Sequence, residues 1–270
     1  MFNLAGKDYF TDQGHCRPLI DFKDFDWKNA TDEDRMECAL APVGEAGMSH
    51  NELRAILLGL NTFGTMPLVT VETGLGYGYS TRIFLTHCAK YGGEHHIFES
   101  FPTPRPVVET LKEIGLWKYA TLHPGDARHA EWPLGKIINF LNIDSEHSMG
   151  FVTSEYHRFR MCLTHNSVVG FHDTDCCDGV RRGVQVLKEV DRLLLLCDES
   201  RQAGAGYQLF QFKGHDRCDS NYYKRLTDNS YPNGDYYKDE GTDSLETSGH
   251  KDSIRIKTPF REAADALSNM

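Results

Sequence analysis

The feature that most constrains the fold of this sequence is the alternation, from residue 68 onward, of short apolar runs with longer amphipathic stretches. The runs have the length of β-strands, as in LVTVE at 68–72 and IINFLNID at 137–144. Four stretches between the runs are long enough to form helices that cross over between parallel strands: 80–91, 104–115, 150–163 and 179–192. Because such crossovers are right-handed, the pattern predicts a doubly wound α/β fold.

The last two apolar runs, LLLLCD at 193–198 and YQLFQF at 207–212, are joined by only a short polar link. That link is too short for a crossover helix, so the two runs should pair as an antiparallel hairpin at one edge of the sheet. With HHIFES at 95–100, YATLHPGD at 119–126 and VVGFHD at 168–173, seven strands are predicted. The expected fold is a Rossmann-like, doubly wound, mostly parallel seven-stranded sheet with an antiparallel edge strand.

The chain divides into three predicted parts. Residues 1–66 form a helical lead-in, in which Ser49 and Glu52 have the spacing of a capping box. Residues 67–213 carry the strand and helix alternation and form the core. Residues 214–270 are polar and rich in tyrosine, with TPFREAADAL at 258–267 as a closing helix, and are interpreted as an extension.

Composition narrows the classes of function. The formal net charge of −10 gives no overall attraction for a phosphate backbone, so nucleic acid is not the expected partner. Eight cysteines show no C-x-x-C spacing, and the adjacent Cys176 and Cys177 suit neither a zinc knuckle nor a disulfide framework. They are predicted to be reduced thiols. The sequence shows neither a signal peptide nor a long apolar segment, so we expect a cytoplasmic protein without a membrane partner.

The loop after the first predicted strand reads VETGLGYGYS, with glycines at 74, 76 and 78. Glycines there let backbone amides approach a ligand, and the helix that opens near Ser80 offers N–H groups to an anion. The dinucleotide motif G-x-G-x-x-G requires a small residue where Tyr79 stands, and no G-K-[ST] ends the run. An NAD site is therefore disfavoured on steric grounds, and a P-loop is absent from the sequence.

Acidic residues follow the next strands. Glu99 ends the second strand, where an acid can accept hydrogen bonds from ribose hydroxyls, and Gly125, Asp126 and Ala127 follow the third. The fourth strand ends in Asp144, and the fifth in His172 and Asp173. Two carboxylates at neighbouring strand ends repel each other unless they are protonated, hydrogen-bonded or bridged by a cation. His147, three residues past Asp144, is the best candidate for a general base.

The segment from 68 to about 212 resembles class I methyltransferases that depend on S-adenosylmethionine (SAM), and in particular the cephalosporin-hydroxylase-like and macrocin O-methyltransferase-like family. The motifs that carry the resemblance are VETGLGYGYS, GDA, NIDSEHS, GFHDT and AGYQLFQF. The resemblance, with the strand-end chemistry, predicts the residues that bind SAM: Glu72, Gly74, Gly76, Gly78, Ser80, Glu99, Ser100, Asp126, Ala127 and Asp144.

The resemblance also bears on metal binding. Some members of the wider group, such as catechol O-methyltransferases, bind a divalent metal with an aspartate after strand four and an acidic or Asp-Asn pair after strand five. Asp144 and Asp173 match two of those positions, whereas His172 departs from the usual acid. Mg²⁺ would prefer a carboxylate, and a histidine would favour Mn²⁺, Fe²⁺ or Zn²⁺, or no metal. A divalent metal on Asp144, His172 and Asp173 is therefore left open.

The predicted function is methyl transfer from SAM, directed at an oxygen of a small hydroxylated molecule, with His147 and Asp144 as catalytic residues. One alternative is a protein that keeps the SAM pocket without chemistry. Another is an NAD-linked oxidoreductase, against which Tyr79 argues. The acceptor and the oligomeric state are not fixed by the sequence, and a homo-oligomer is allowed.

Overall fold

In the computed structural model, the residues described are 22–40, 47–101, 105–133, 135–199 and 205–215. Seven strands form one sheet in the order β3-β2-β1-β4-β5-β7-β6. Their bounds are β1 (Leu68–Thr73), β2 (Gly93–Glu99), β3 (Ala120–Pro124), β4 (Ile138–Ile143), β5 (Leu163–His172), β6 (Asp191–Asp198) and β7 (Tyr207–His215). Each lies within a few residues of a predicted strand.

The first five strands pair in parallel, and the order of the sheet reverses between β1 and β4. Ligands of open α/β sheets bind outside the carboxyl ends of the strands at such a reversal. The predicted hairpin is confirmed, since β6 and β7 pair antiparallel. The antiparallel strand β7 lies one place in from the edge, between β5 and β6, because it pairs antiparallel with both.

Six helices flank the sheet: α1 (Asp32–Ala39), α2 (His50–Asn61), α3 (Tyr79–Tyr91), α4 (Arg105–Glu113), α5 (Met149–Arg160) and α6 (Asp178–Val190). Neighbouring residues of β4 point to opposite faces and are both fully buried, Phe140 toward α2 and α3 and Leu141 toward α5 and α6. Because side chains alternate along a strand, this burial of both faces makes the sheet doubly wound, as predicted.

The described part of the lead-in is helical. Ser49 and Glu52 form the predicted capping box at the start of α2, and Thr31 and Asp34 form a second one at α1. The predicted extension lies outside the described residues from 216 onward, and so does its closing helix at 258–267. Within the described ranges, every helix is too short or too polar to cross a membrane.

Candidate functional site

The glycine loop leaves β1 through three residues with positive φ: 86° at Gly74, 48° at Gly76 and 76° at Gly78. The glycines are needed for different reasons. A Cβ at Gly74 would lie 2.1 Å from the carbonyl oxygen of Asp144, whereas a Cβ at Gly76 would meet no atom within 4 Å. Gly74 therefore allows β1 and β4 to end close together, and Gly76 leaves open space above the loop.

Glu72 is fully buried beneath this loop. One carboxylate oxygen accepts a hydrogen bond from the Ser80 hydroxyl at 2.8 Å, and the other accepts one from the Thr81 hydroxyl and lies 3.1 Å from His95 Nε2. Glu72 and Ser80 thus tie the end of β1 to the first turn of α3. Neither residue lines the cleft above the loop. Their predicted contact with a cofactor stays a prediction.

The cleft lies at the carboxyl ends of β1 to β4. Seven of the predicted cofactor residues line it: Gly74, Gly76, Glu99, Ser100, Asp126, Ala127 and Asp144. Its enclosed part measures about 170 Å³, below the roughly 300–1,000 Å³ typical of small-molecule pockets.

Glu99, at the end of β2, is held in the cleft by backbone amides. Its carboxylate accepts hydrogen bonds from the amides of Leu75 and Phe101, each at 2.8 Å. Each carboxylate oxygen has a second lone pair, so these bonds leave acceptor capacity for a hydroxyl of a ligand. Glu99 is also mostly buried, so the position of its free lone pairs is fixed.

Asp126, beyond β3, is paired within the protein. Its carboxylate accepts from Arg128 Nη2 at 2.5 Å and from the Arg128 amide at 2.9 Å. Burial raises the pKa of Asp126, but these hydrogen bonds outweigh it and hold the pKa below its usual value. The Arg128 guanidinium in turn stacks on Phe151, 3.4 Å from the ring centre. Asp126 is thus ionised and orientated at the cleft.

Glu155 of α5 lines the same cleft and was missed in the sequence. It accepts hydrogen bonds from the hydroxyls of Ser145 at 2.6 Å and Thr73 at 3.0 Å. Burial raises its pKa to about 7, although both hydroxyls lower it. The signal was present, because Glu155 falls on the helix face that Val152 and Phe159 bury, where an acid is unexpected.

The second predicted constellation is assembled at the ends of β4 and β5. His172 Nδ1 lies 2.9 Å from Asp144 Oδ1 and 3.4 Å from Asp173 Oδ2, and His147 Nε2 lies 2.7 Å from Asp173 Oδ2. Asp173 has φ 62°, a left-handed conformation that is rare for a residue other than glycine. Such backbone strain concentrates at functional sites.

These contacts shift the pKa values in a consistent way. Burial lowers the pKa of His172, but Asp144, Asp173 and Glu52 raise it well above its usual value. The hydrogen bond to Asp173 raises the pKa of His147. Burial raises the pKa of Asp173, and its two histidine partners lower it far more. Asp173 is therefore a carboxylate held between two imidazoles.

Glu52 has a second role that its capping box concealed. Besides accepting from the Ser49 amide at 2.5 Å, it accepts from the Gly206 amide at 2.7 Å and lies 3.6 Å from His172 Nε2. Its carboxylate thus joins α2, the start of β7 and the end of β5. No sequence signal points to it, because the capping box alone explains a glutamate at this position.

Known proteins resemble this chain in sequence and fold. A family model described as a methyltransferase domain matches residues 71–174. No curated protein sequence matches the chain. The O-methyltransferase TomG from Streptomyces achromogenes, involved in tomaymycin synthesis and solved in complex with SAM, superposes with a TM-score of 0.53. It is 14% identical over 72% of this chain and 95% of its own.

A second solved structure, the O-methyltransferase NovP, superposes with a TM-score of 0.50 at 11% identity. That likeness covers 61% of this chain and 81% of NovP. At these identities the two structures establish the fold, and the family model covers the segment from the glycine loop to the end of β5. Residues 71–174 are thus similar to a methyltransferase domain, and the chain has the fold of TomG and NovP, the Rossmann-like sheet that its sequence predicted.

Proposed function

We propose that this protein transfers a methyl group from SAM to an oxygen atom of a small hydroxylated molecule. The observation that carries the proposal is the pair of His147 and Asp173, which lies beside Asp144, a residue that lines the glycine-loop cleft. A cofactor groove and a histidine–carboxylate pair at adjacent strand ends are the two parts that such a transfer needs.

The cofactor side supports SAM as the donor. The open space above Gly76 admits a ligand against the backbone, and Glu99 offers fixed acceptor capacity for ribose hydroxyls. TomG, which shares the fold, was solved with SAM. The sulfonium of SAM is already an activated donor, so alignment of donor and acceptor supplies much of the rate.

The acceptor side supports His147 as the base. With Nε2 donating to Asp173, the lone pair of the neutral ring falls on Nδ1, and the His147 side chain is 50% exposed. In the proposed step Nδ1 takes the proton of the acceptor hydroxyl while its oxygen bonds to the methyl carbon. The carbon–sulfur bond breaks, its electron pair stays on sulfur, and S-adenosylhomocysteine leaves.

The sequence left open a divalent metal on Asp144, His172 and Asp173, whose donor atoms lie within 4.8 Å of one another. The three converge closely enough to hold a cation. His172, however, can act as a ligand only without the proton on Nδ1, the atom next to Asp144, and the neighbouring carboxylates favour the protonated ring. A metal bound here would polarise an acceptor oxygen. The proposed methyl transfer includes no step on a metal, and metal binding stays a prediction.

The lead-in completes the proposal. Because Glu52 of α2 reaches His172, we assign residues 1–66 to the acceptor side of the site, next to the core at 67–213. The acceptor would then meet side chains from α2 and from the ends of β4 and β5. That division suits a fold in which a common core binds the donor and added segments choose the acceptor.

The test is calorimetry with SAM, followed by mass spectrometry of reactions with catechol and with free sugars as acceptors. SAM binding with release of S-adenosylhomocysteine and a methylated product supports the proposal. Binding without product identifies a non-catalytic SAM protein, and nicotinamide binding without SAM binding identifies an oxidoreductase. Activity that a chelator removes and Mg²⁺ or Mn²⁺ restores would show that a metal assists.

A further inference from the structure

The turn after β5 carries two adjacent cysteines that the proposed methyl transfer does not use. The sulfur atoms of Cys176 and Cys177 lie 3.3 Å apart, and both are free thiols. Cys176 Sγ also lies 3.1 Å from Oδ1 of Asp173. Two thiols and a carboxylate oxygen therefore face one another at the edge of the site.

His147 brings a fourth donor from a different loop. Its Nε2 atom lies 2.7 Å from Oδ2 of Asp173, and the donor atoms of His147, Asp173 and Cys177 all lie within 4.8 Å of one another. Cys176 lies outside that group of three and touches it through Oδ1 of Asp173 and the sulfur of Cys177. The four residues offer two sulfurs, one imidazole nitrogen and a carboxylate whose Oδ1 faces Cys176 and whose Oδ2 faces His147.

Adjacent cysteines alone do not suit a zinc knuckle, but together with the imidazole of His147 and the carboxylate of Asp173 they make a donor set that selects a thiophilic cation. Zn²⁺ binds thiolate, imidazole and carboxylate in tetrahedral sites, whereas Mg²⁺ requires oxygen ligands in an octahedron. Zinc–ligand bonds of about 2.0–2.3 Å place neighbouring donors about 3.3–3.8 Å apart. Two zinc–sulfur bonds require about 3.8 Å between the sulfurs, so the pair, now 3.3 Å apart, must separate by about 0.5 Å. The shorter contacts of Asp173 are hydrogen bonds, which open when a cation replaces the shared protons.

The backbone holds the turn in place. The amides of Asp175 and Cys176 donate to the carbonyl of Ala205 at 2.9 and 3.1 Å, and the amide of Cys177 donates to the carbonyl of Asp173 at 3.1 Å. His147, by contrast, is half exposed and can swing. Three of the donors thus come from a fixed turn, and the fourth can adjust to a metal.

We propose that His147, Asp173, Cys176 and Cys177 form a tetrahedral binding site for a thiophilic divalent cation, Zn²⁺. Binding converts the two thiols to thiolates and releases their protons, without any oxidant. A cation here uses Asp173 and a ring nitrogen of His147. A second consequence rests on the proposed function. Because Zn²⁺ occupies His147, the proposed base, bound Zn²⁺ stops methyl transfer.

The binding test is Co²⁺ titration of the full chain under reducing conditions, because tetrahedral Co²⁺ with thiolate ligands has intense visible and charge-transfer absorption. Wild type should show both bands, Zn²⁺ should displace them, and the double variant C176S/C177S should lose them. The matched control is C162S/C197S, which removes two half-buried thiols elsewhere and should keep the bands. Thermal melting checks that each variant is folded.

Two outcomes overturn the site. One is the absence of thiolate bands in wild type, or their persistence in C176S/C177S. The other is Co²⁺ binding that lacks thiolate bands and that Asp144→Asn abolishes, which would place the cation among Asp144, His172 and Asp173 instead. This readout does not depend on activity, so it stands even if the protein proves not to be a methyltransferase. Where methyl transfer is measured, Zn²⁺ should inhibit wild type and spare C176S/C177S; equal inhibition of both would refute the second consequence.

Discussion

The two sides of the cleft are built in different ways. On the side that we assign to the cofactor, at the ends of β1 and β2, Glu99 accepts hydrogen bonds from backbone amides and the loop is shaped by glycines. On the acceptor side, at the ends of β4 and β5, side chains bind side chains, as in the pairs of His172 with Asp144 and His147 with Asp173. A backbone-built surface keeps its shape as pH changes, whereas a surface of paired titratable groups does not.

The largest expected effect tests the backbone-built side. Gly76→Val places a branched side chain in the open space above the loop and should remove detectable SAM binding in calorimetry. The matched control is Gly115→Val, at a glycine with φ 73° and equally open surroundings outside the cleft. It carries similar backbone strain and should bind SAM normally. Unchanged affinity in Gly76→Val would remove the loop from the cofactor site.

The second effect separates the two sides. His147→Ala should lower methyl transfer about 10²–10⁴-fold, the usual contribution of a general base, and leave SAM affinity unchanged. His165→Ala is the control, since His165 is exposed on β5 and contacts only the backbone carbonyl of Lys213. Rates and affinities are measured on the same preparations. A full rate in His147→Ala would eliminate it as the base.

The third effect returns to the cofactor side. Glu99→Ala should weaken the binding of SAM by about 1.5–3 kcal/mol, the range for hydrogen bonds to a charged group. It should leave the pH dependence of the rate unchanged. Calorimetry gives the affinity. The SAM affinity of Glu99→Gln, which keeps one acceptor oxygen, should lie between those of wild type and Glu99→Ala. Wild-type affinity in Glu99→Ala would move the ribose contact to another residue.

The smallest effect is a displaced pH profile. Asp173 raises the pKa of His147, so the neutral base is present only above that raised pKa and the rate should fall as pH drops through it. Asp173→Asn removes the negative partner and should move this acidic limb to lower pH. Asparagine also tolerates the left-handed backbone. The profile is measured with a chelator present, and a limb that does not move would show that another group controls it.

The sequence predicted more of the cofactor side than of the acceptor side. Strand length, turn glycines and the acid at Glu99 are local features, and the structure places them as expected. The convergence of Asp144, His172 and Asp173 followed from neighbouring strand ends. Their individual contacts did not, because Glu52 arrives from a helix whose capping box already explained it. Glu155 was missed although its spacing from Val152 and Phe159 places it on the buried face of α5, where an acid is unexpected.

The position of β7 between β5 and β6 determines the order in which the sheet can be completed during synthesis. Until residues 207–215 have been made, the outer edge of β5 has no strand to pair with, and β6 has no neighbour in the sheet. His172, at the end of β5, pairs with Tyr207, the first residue of that late strand. A nascent chain therefore exposes an unpaired strand edge beside its reactive residues, and stalling before Tyr207 would leave an aggregation-prone intermediate for chaperones to hold.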